Sequence, residues 1–235
     1  MIVLTGGAGF IGSCILAKLN SLGRKDVIVV DHVEDDLKKE NLKGKKFFEY
    51  FDKGNFLKNI LKGNIPSKVD TVIHMGACSS TVLQDAEYFE ENNFQYTLKL
   101  AQWCLPRGVR FIYASSAATY GDGSRGYNDS DETTRLCQSL NLYGKSKQKF
   151  DLWVLENGVI ERVVGLKFFN VFGPNEYHKG EMRSVIAKAY GRVVKEGKIG
   201  LFKSYRKEYA DGEQRRDFIY VKDAVDVTMF FVDHF

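Results

Sequence analysis

The stretch TGGAGFIG, Thr5 to Gly12, decides how this 235-residue chain folds. It lies between a short apolar run, MIVLT, and a pattern of apolar residues with helical spacing. Gly6 permits a tight turn, Gly9 lets the backbone approach a pyrophosphate, and Gly12 allows the helix to pack closely on the strand. The N-terminus of such a helix attracts an anion. A strand, a glycine turn and a helix in this order predict a dinucleotide-binding site.

Outward from this turn, short β-branched runs alternate with helical patterns. Strands are predicted at 1–5, 26–31, 46–51, 70–77, 110–116, 162–170, 199–202 and 217–221. Helices are predicted at 11–22, 55–62, 85–105, 142–157, 182–196 and 222–235. Near-continuous apolar strands joined by helices are typical of a parallel sheet that is buried on both faces. The sequence therefore predicts an α/β fold, a Rossmann-type doubly wound parallel sheet.

Composition and charge exclude several classes of protein. Apolar residues make up 44% of the chain, which indicates a globular core, and the net charge of +4 is too small to predict nucleic-acid binding. No run approaches 18 apolar residues and the N-terminus has no basic region, so we expect no membrane span and no leader. The four cysteines form no C-x-x-C pair, which predicts no metal site and a reduced, cytoplasmic protein.

The choice between NAD and NADP depends on the residues around Asp31. This acid ends the second predicted strand, 19 residues after Gly12, where a carboxylate accepts hydrogen bonds from ribose hydroxyls and favours NAD. Lys38 and Lys53 are near enough in sequence to bind a 2′-phosphate instead, and His32 is adjacent. The residues alone leave both cofactors open.

A second motif, YGKSK, places Tyr143 and Lys147 four residues apart on one helix face. A tyrosine titrates near 10, but a nearby ammonium and an oxidised nicotinamide favour the phenolate and make it a base at neutral pH. Ser116 ends the preceding strand in SSAATYG, and its hydroxyl is suited to hold a substrate oxygen. A lone Tyr-x-x-x-Lys is a weak signal, but the glycine turn and the serine make it a strong one.

Five motifs together carry a family resemblance: TGGAGFIG, HMGACSS, SSAATYG, YGKSK and FFNVFGP. They resemble the extended short-chain dehydrogenase/reductase family, the nucleotide-sugar epimerases and dehydratases, over essentially the whole chain. GACSST, ENNFQYT, YASSAATYG and HKG are most similar to the branch that epimerises C6 of an ADP-linked heptose for lipopolysaccharide core synthesis. The resemblance implies NADP rather than NAD, an ADP-heptose substrate and a homo-oligomer, a pentamer in that branch.

The resemblance also implies which residues bind each ligand. Cofactor contacts are expected from Gly6, Gly9, Phe10, Ile11, Gly12, Asp31, His32, Lys38, Lys53, Met75, Gly76, Ala77, Cys78, Ser79, Asn92, Lys147, Val171 and Lys179. Substrate contacts are expected from Ser116, Asn170, Glu181, Lys188, Phe202, Lys203, Ser204 and Arg216. Position 32 is His where the family commonly has Asn. Arg216 suits an ADP phosphate by its bidentate geometry.

Lys179 lies in a predicted loop, NEYHKGEM, and its pattern alone is that of a solvated lysine. By resemblance, C6 is inverted through a ketone, with the hydride returned to the opposite face after rotation of the C6–C7 portion. The alcohol then occupies two positions, and two acid/base groups are useful. The resemblance implies Tyr143 and Lys179 for these roles.

The resemblance leaves three alternatives. The first alternative is a dehydratase, which carries Asp and Glu directly after the Ser/Thr of the serine motif. This chain has Ala117 and Ala118 there and so lacks these acids. Another nucleotide-sugar epimerase would share the same motifs. A non-catalytic NADP-binding protein tends to lose the tyrosine, which is kept here as Tyr143.

The domain division is expected at residue 170. Residues 1–170 form the NADP-binding domain with the Tyr-x-x-x-Lys motif, and 171–235 form part of a smaller substrate-binding domain. Family chains continue past position 235, so this second domain is expected to be incomplete. The last predicted helix carries an apolar surface, and we expect the missing segment to cover it. That surface comprises Val225, Met229, Phe230 and Val232.

Overall fold

The computed structural model describes residues 1–33, 35–65, 68–205 and 207–235. Its main feature is a parallel sheet of six strands in the order β3-β2-β1-β4-β5-β6. These strands are β1 (Ile2–Thr5), β2 (Val27–Asp31), β3 (Glu49–Asp52), β4 (Thr71–His74), β5 (Arg110–Ser116) and β6 (Val163–Phe168). A separate parallel pair follows, β7 (Asn170–Phe172) and β8 (Phe218–Tyr220). All six strands of the main sheet were predicted within a few residues.

Helices cover the main sheet and continue beyond it. They are α1 (Phe10–Ser21), α2 (Asp36–Glu40), α3 (Lys53–Leu61), α4 (Ala86–Phe89), α5 (Tyr96–Cys104), α6 (Asp131–Leu136), α7 (Leu142–Glu156), α8 (Val185–Glu196) and α9 (Val221–Asp233). Short 3₁₀ segments lie at 105–107, 117–120, 160–162 and 177–182, and the last of them is kinked at Gly180. Along the described residues, no helix is both long enough and apolar enough to cross a membrane.

Two apolar layers enclose the sheet, one on each face. The first packs α3, α5 and α7 against the sheet around the fully buried Phe56 and Phe111. The second packs α1 and α9 against the other face around Ile15, Leu16 and Val225. Strands β1, β2 and β4 are buried along their whole length, as expected for strands covered on both faces. The prediction of a Rossmann-type doubly wound fold is confirmed.

The single helix predicted over 85–105 is interrupted. A π-helical segment, Glu90–Gln95, separates α4 from α5. Such segments insert one extra residue into a turn and are frequent at functional sites. The apolar periodicity is nearly the same through the insertion, so the sequence pattern gives no sign of it.

Two predictions for the C-terminal part are wrong. The run 199–202 is not a strand, and its Leu201 and Phe202 side chains are exposed. Helix α9 also needs no further segment to cover most of its apolar face. Val225, Met229 and Val232 are buried against α1, and of the four predicted residues Phe230 alone is exposed.

Candidate active site

In the glycine turn between β1 and α1, backbone atoms lie so close together that there is no room for side chains at Gly6 and Gly12. Gly6 has a φ of +67°, and a Cβ there would lie 2.7 Å from the Gly76 nitrogen. A Cβ on Gly12 would collide with the Gly6 carbonyl oxygen. The N-cap of α1 is Gly9, which has no side chain to bind the N–H groups of the first turn. This cradle fits the pyrophosphate of a dinucleotide.

Asp31 lies buried at the end of β2, and the chain itself engages its carboxylate. Oδ2 accepts from the Ala8 N–H at 2.9 Å, and Oδ1 accepts from the His32 N–H and from Lys38 Nζ, each at 2.7 Å. The Lys38 ammonium also donates to the His32 carbonyl at 2.8 Å. Asp31 therefore fixes the glycine turn against β2 and forms an ion pair at this end of the sheet.

The other residues expected beside the adenosine ribose have partners on neighbouring elements. Lys53 Nζ donates to Asn92 Oδ1 at 2.6 Å. The His32 ring lies 2.8 Å from Asp52 Oδ2, and Asp52 pairs with Asp31 in the β2–β3 register. The predicted cations and Asp31 thus gather at the carboxyl ends of two adjacent strands, where ligands of such sheets bind.

The loop after β4, Met75–Ser79, is half-buried at the same edge of the sheet. Its Cys78 peptide is held from both sides by one amide: the Cys78 N–H donates to Asn93 Oδ1, and Asn93 Nδ2 donates to the Cys78 carbonyl, both at 2.9 Å. Asn93 Nδ2 also lies 2.9 Å from Ser146 Oγ, which donates to the Tyr143 carbonyl. Asn93 therefore couples the predicted cofactor loop to helix α7.

The start of α7 brings the tyrosine to the serine. The Asn141 side chain caps the helix by accepting from the Gly144 N–H at 2.8 Å. A Cβ on Gly144 would lie 2.8 Å from the Ala118 carbonyl oxygen, so glycine allows the helix to approach the turn after β5. This approach places the Tyr143 phenol near the Ser116 side chain, which acts on its pKa.

Burial shifts the pKa values of the predicted catalytic pair. It raises the pKa of Tyr143, and the nearby Ser116 side chain opposes that rise. Burial lowers the pKa of Lys147 to about 8, and Asp151 opposes that fall. Lys147 Nζ donates to the Ala114 carbonyl at 2.7 Å, which keeps the ammonium beneath α7. The structure therefore brings Tyr143 near Ser116 and places Lys147 against β5, the strand that carries Ser116.

Lys179 is not a freely solvated loop lysine. Its half-buried ammonium lies 5.9 Å from the centre of the Phe10 ring, at the start of α1. Burial lowers the pKa of Lys179, and the Glu176 carboxylate opposes this. Glu176 is itself buried and anchors the loop by accepting from the Gly173 N–H at 3.0 Å and from the Ser184 N–H at 2.5 Å.

The two predicted acid/base groups have different surroundings. Ser116, Cys78 and Asp151 act on the pKa of Tyr143, whereas Lys179 is influenced by Glu176. Lys179 is thus placed beside the glycine turn, and Tyr143 at the end of β5.

The remaining predicted substrate residues, apart from Ser116, lie in the segment 170–216. Lys188 Nζ donates to Glu181 at 3.0 Å, and Asn170 Nδ2 donates to the Asp217 carbonyl, just beyond that segment, at 2.9 Å. Ser204 is half-buried, and the exposed members are Asn170, Glu181, Lys188, Phe202, Lys203 and Arg216. Val171, predicted to contact the cofactor, is half-buried and packs against the layer formed by α1 and α9.

Sequence reasoning missed two buried polar residues of this site. Asn93 stands directly after the predicted Asn92 in ENNFQYT, but its role depends on Cys78, 15 residues earlier. Asp151 follows Lys147 by one helical turn, and its partner Tyr113 is 38 residues away. The four-residue spacing from Lys147 is the one local signal that points to Asp151.

Comparison with known proteins assigns the family. The family model described as "NAD dependent epimerase/dehydratase family" matches residues 2–235. The chain belongs to this family. Relatives at this level of similarity are named as epimerases, so the protein is an isomerase, an epimerase that uses a nicotinamide cofactor.

Three of the similar proteins carry the same name. ADP-L-glycero-D-manno-heptose-6-epimerase of Nitratidesulfovibrio vulgaris is 52% identical over 227 residues, which is 97% of this chain and 70% of the relative. The enzyme of the same name from Fusobacterium nucleatum is 45% identical over 233 residues, 98% of this chain and 70% of that one. The crystal structure of the Helicobacter pylori enzyme is 29% identical, has a TM-score of 0.81, and is matched over 97% of this chain and 70% of its own.

Proposed function

We propose that this epimerase converts ADP-D-glycero-D-manno-heptose to ADP-L-glycero-D-manno-heptose by inverting C6. The observation that carries the proposal is the placement of two proton-handling groups in separate surroundings, Tyr143 beside Ser116 and Lys179 beside Phe10. An inversion in which the alcohol occupies two positions needs two such groups. The names of the relatives support the same substrate.

The cofactor would lie along the carboxyl ends of the strands. The glycine turn, Asp31 and the loop Met75–Ser79 would hold it. When bound, the nicotinamide supplies the hydride chemistry, taking a hydride from C6 and returning it. Residues 1–170 would form this part of the site, and residues 171–235 would contribute to the sugar side.

The proposed catalytic residues act at different positions of the substrate oxygen. The Ser116 hydroxyl would hold the C6 oxygen, and the Tyr143 phenol would exchange a proton with it. The Lys147 ammonium, one helical turn away, favours the phenolate by its charge. Lys179 is suited to the second position of the oxygen, because its lowered pKa brings the ammonium nearer to proton exchange at neutral pH.

The test of this function is turnover of the purified protein with each ADP-heptose epimer, followed by chromatography of the products. We expect both to reach the same mixture, and we expect Tyr143→Phe to lower the rate by about 10²–10⁴-fold. Tyr190→Phe is the matched control, since that phenol is 71% exposed on α8. Conversion of UDP-glucose to UDP-galactose with no change in ADP-heptose would assign another nucleotide sugar. Cofactor binding without any turnover would identify a non-catalytic protein.

We also propose NADP as the cofactor, although the family description names NAD. The Asp31 carboxylate, which would repel a 2′-phosphate, is paired with Lys38 at 2.7 Å. Burial lowers the pKa of His178, and the positive charge of Lys38 lowers it further. The positive potential of Lys38 therefore extends to His178. A phosphate that approaches this edge of the sheet meets cations rather than a free carboxylate.

Calorimetric titration tests this choice. We expect tighter binding of NADP than of NAD, and Lys38→Met should weaken NADP about 10–100-fold while changing NAD less, since a charge-assisted contact contributes about 1.5–3 kcal/mol. Lys39→Met is the control, because Lys39 is exposed and paired with Asp36. Equal or tighter binding of NAD by the unmodified protein would contradict the proposal.

A further inference from the structure

A buried polar cluster lies beneath the catalytic helix. Asp151 is 5% exposed and stands one helical turn beyond Lys147 on α7. Its Oδ1 accepts from the Tyr113 hydroxyl at 2.9 Å, and its Oδ2 accepts from Ser115 Oγ at 2.7 Å and from Lys167 Nζ at 2.5 Å. The reaction described above uses none of the four residues in this cluster.

The cluster joins three elements at one point. Asp151 comes from α7, Tyr113 and Ser115 come from β5, and Lys167 comes from β6. Gly165 on β6 keeps space for the ring, because a Cβ there would lie 2.5 Å from the Tyr113 hydroxyl. A carboxylate that binds donors from two adjacent strands fixes the rotation of the helix that carries it.

The spacing connects the cluster to the reacting groups. Tyr143, Lys147 and Asp151 follow one another at intervals of four residues and share one face of α7. Lys147 is 6% exposed, and the acceptor of its ammonium is the neutral carbonyl of Ala114. A buried ammonium with a neutral acceptor depends on nearby negative charge to keep its proton.

Asp151 supplies that negative charge. Burial lowers the pKa of Lys147 to about 8, and the Asp151 carboxylate acts against this. His74 on β4 also faces Lys147, but burial lowers its pKa to about 3, so it is neutral in the working range. Lys167 faces Asp151 from β6 and offsets part of its charge. From the loop after β4, Cys78 acts on Tyr143.

We propose that Asp151 is a positioning residue that seats α7 on β5 and β6 and keeps Lys147 charged. The inference rests on the proposed function for the roles of Tyr143 and Lys147. Without the Asp151 charge, Lys147 loses its proton at a lower pH, and Tyr143 then loses the ammonium that favours its phenolate. The alkaline limb of the activity profile would move to lower pH as a result.

The direct test measures Lys147 in the protein without cofactor or sugar, so it does not depend on turnover. Isotope-labelled lysine gives an ε-carbon resonance for Lys147, assigned by its loss in Lys147→Met and followed through a pH titration. We expect Asp151→Asn to lower the pKa of Lys147 below its value of about 8, because the carboxylate that raises it is gone. Glu156→Gln is the matched control, with the same loss of charge at an exposed position on the same helix. Equal pKa values of Lys147 in the two variants would overturn the proposal.

A second variant separates charge from packing. Lys167→Met removes the counterion of Asp151, so the pKa of Lys147 should rise, opposite to its change in Asp151→Asn. A purely structural role predicts no such opposition, and a fall or no change in Lys167→Met would overturn the proposal even if Asp151→Asn does not fold. The alkaline limb of turnover should follow the same two directions. If the unmodified protein fails to turn over ADP-heptose while the titrations behave as expected, the proposed substrate fails and the role of Asp151 stands.

Discussion

The main sheet and the segment after it bury their side chains very differently. In the sheet, β1, β2 and β4 are buried throughout, and helices cover both faces. In the segment 173–217, every residue of α8 is at least partly exposed, and Tyr190 and Phe202 are 71% and 64% exposed. Yet each region holds one of the two predicted acid/base groups. The degree of burial therefore does not show where the acid/base groups lie. In the exposed segment, hydrogen bonds to a buried side chain such as Glu176 hold the loop that carries Lys179.

Two glycine substitutions should reveal the difference in packing between these regions most strongly. Gly12→Ala should destabilise the protein by about 1–3 kcal/mol or more and abolish cofactor binding, because its Cβ would strike backbone that cannot move. Gly191→Ala should stabilise it by about 0.5–1 kcal/mol, because Gly191 lies inside α8 and its Cβ would meet no described atom within 4 Å. Urea unfolding measures both. Similar effects of the two substitutions would mean that the regions are equally packed.

A smaller effect is expected in the pH dependence of the free energy of unfolding, to which two histidines should contribute unequally. His74 is buried in β4 between Thr5 Oγ1 at 2.6 Å and Thr97 Oγ1 at 2.8 Å, and burial lowers its pKa to about 3. The unfolded chain binds this proton near pH 6.5, so the free energy of unfolding falls as pH drops below that value. His178, half-buried in the C-terminal segment, has a pKa lowered by burial and by nearby lysines.

We expect the protein to lose about 1 kcal/mol between pH 6.5 and 5.5 through His74, a loss that His74→Gln removes. His178→Gln should change the pH dependence of the unfolding free energy less than His74→Gln does, because His178 is only partly buried. Denaturant unfolding at the two pH values gives the difference. An identical pH dependence in His74→Gln and in the unmodified protein would show that His74 is not held neutral by the fold.

Prediction from sequence succeeded where neighbours in the chain carry the information. The apolar runs of β1, β2 and β4 are buried along their whole length, so their pattern marks them clearly. The run 199–202 has the same apolar character but stays exposed, because a strand also needs a partner strand that composition does not reveal. The apolar face of α9 was expected to lack a cover within the chain, yet α1, about 200 residues earlier, covers it.

The residues of the site were likewise predictable where the information lies in neighbouring residues of the chain. Tyr143 and Lys147 are recognisable because their spacing places them on one helix face. Asn93 and Asp151 were missed because their hydrogen-bond partners, Cys78 and Tyr113, come from other elements. The π-helical segment that carries Asn93 changes the helix by one residue, which periodicity cannot detect. Lys179 was singled out by resemblance, and its contact with Phe10 joins residues far apart in sequence.

We propose that one acid/base group from each region serves one position of the substrate oxygen. The most direct test of this proposal is single-turnover oxidation of each ADP-heptose epimer by Tyr143→Phe and by Lys179→Met, with the exposed Lys195→Met as control. We expect each substitution to lower the rate for one epimer by about 10²–10⁴-fold, with opposite preferences, and cofactor binding to persist. Unchanged rates for both epimers in Lys179→Met, or loss of the same half-reaction in both variants, would contradict it.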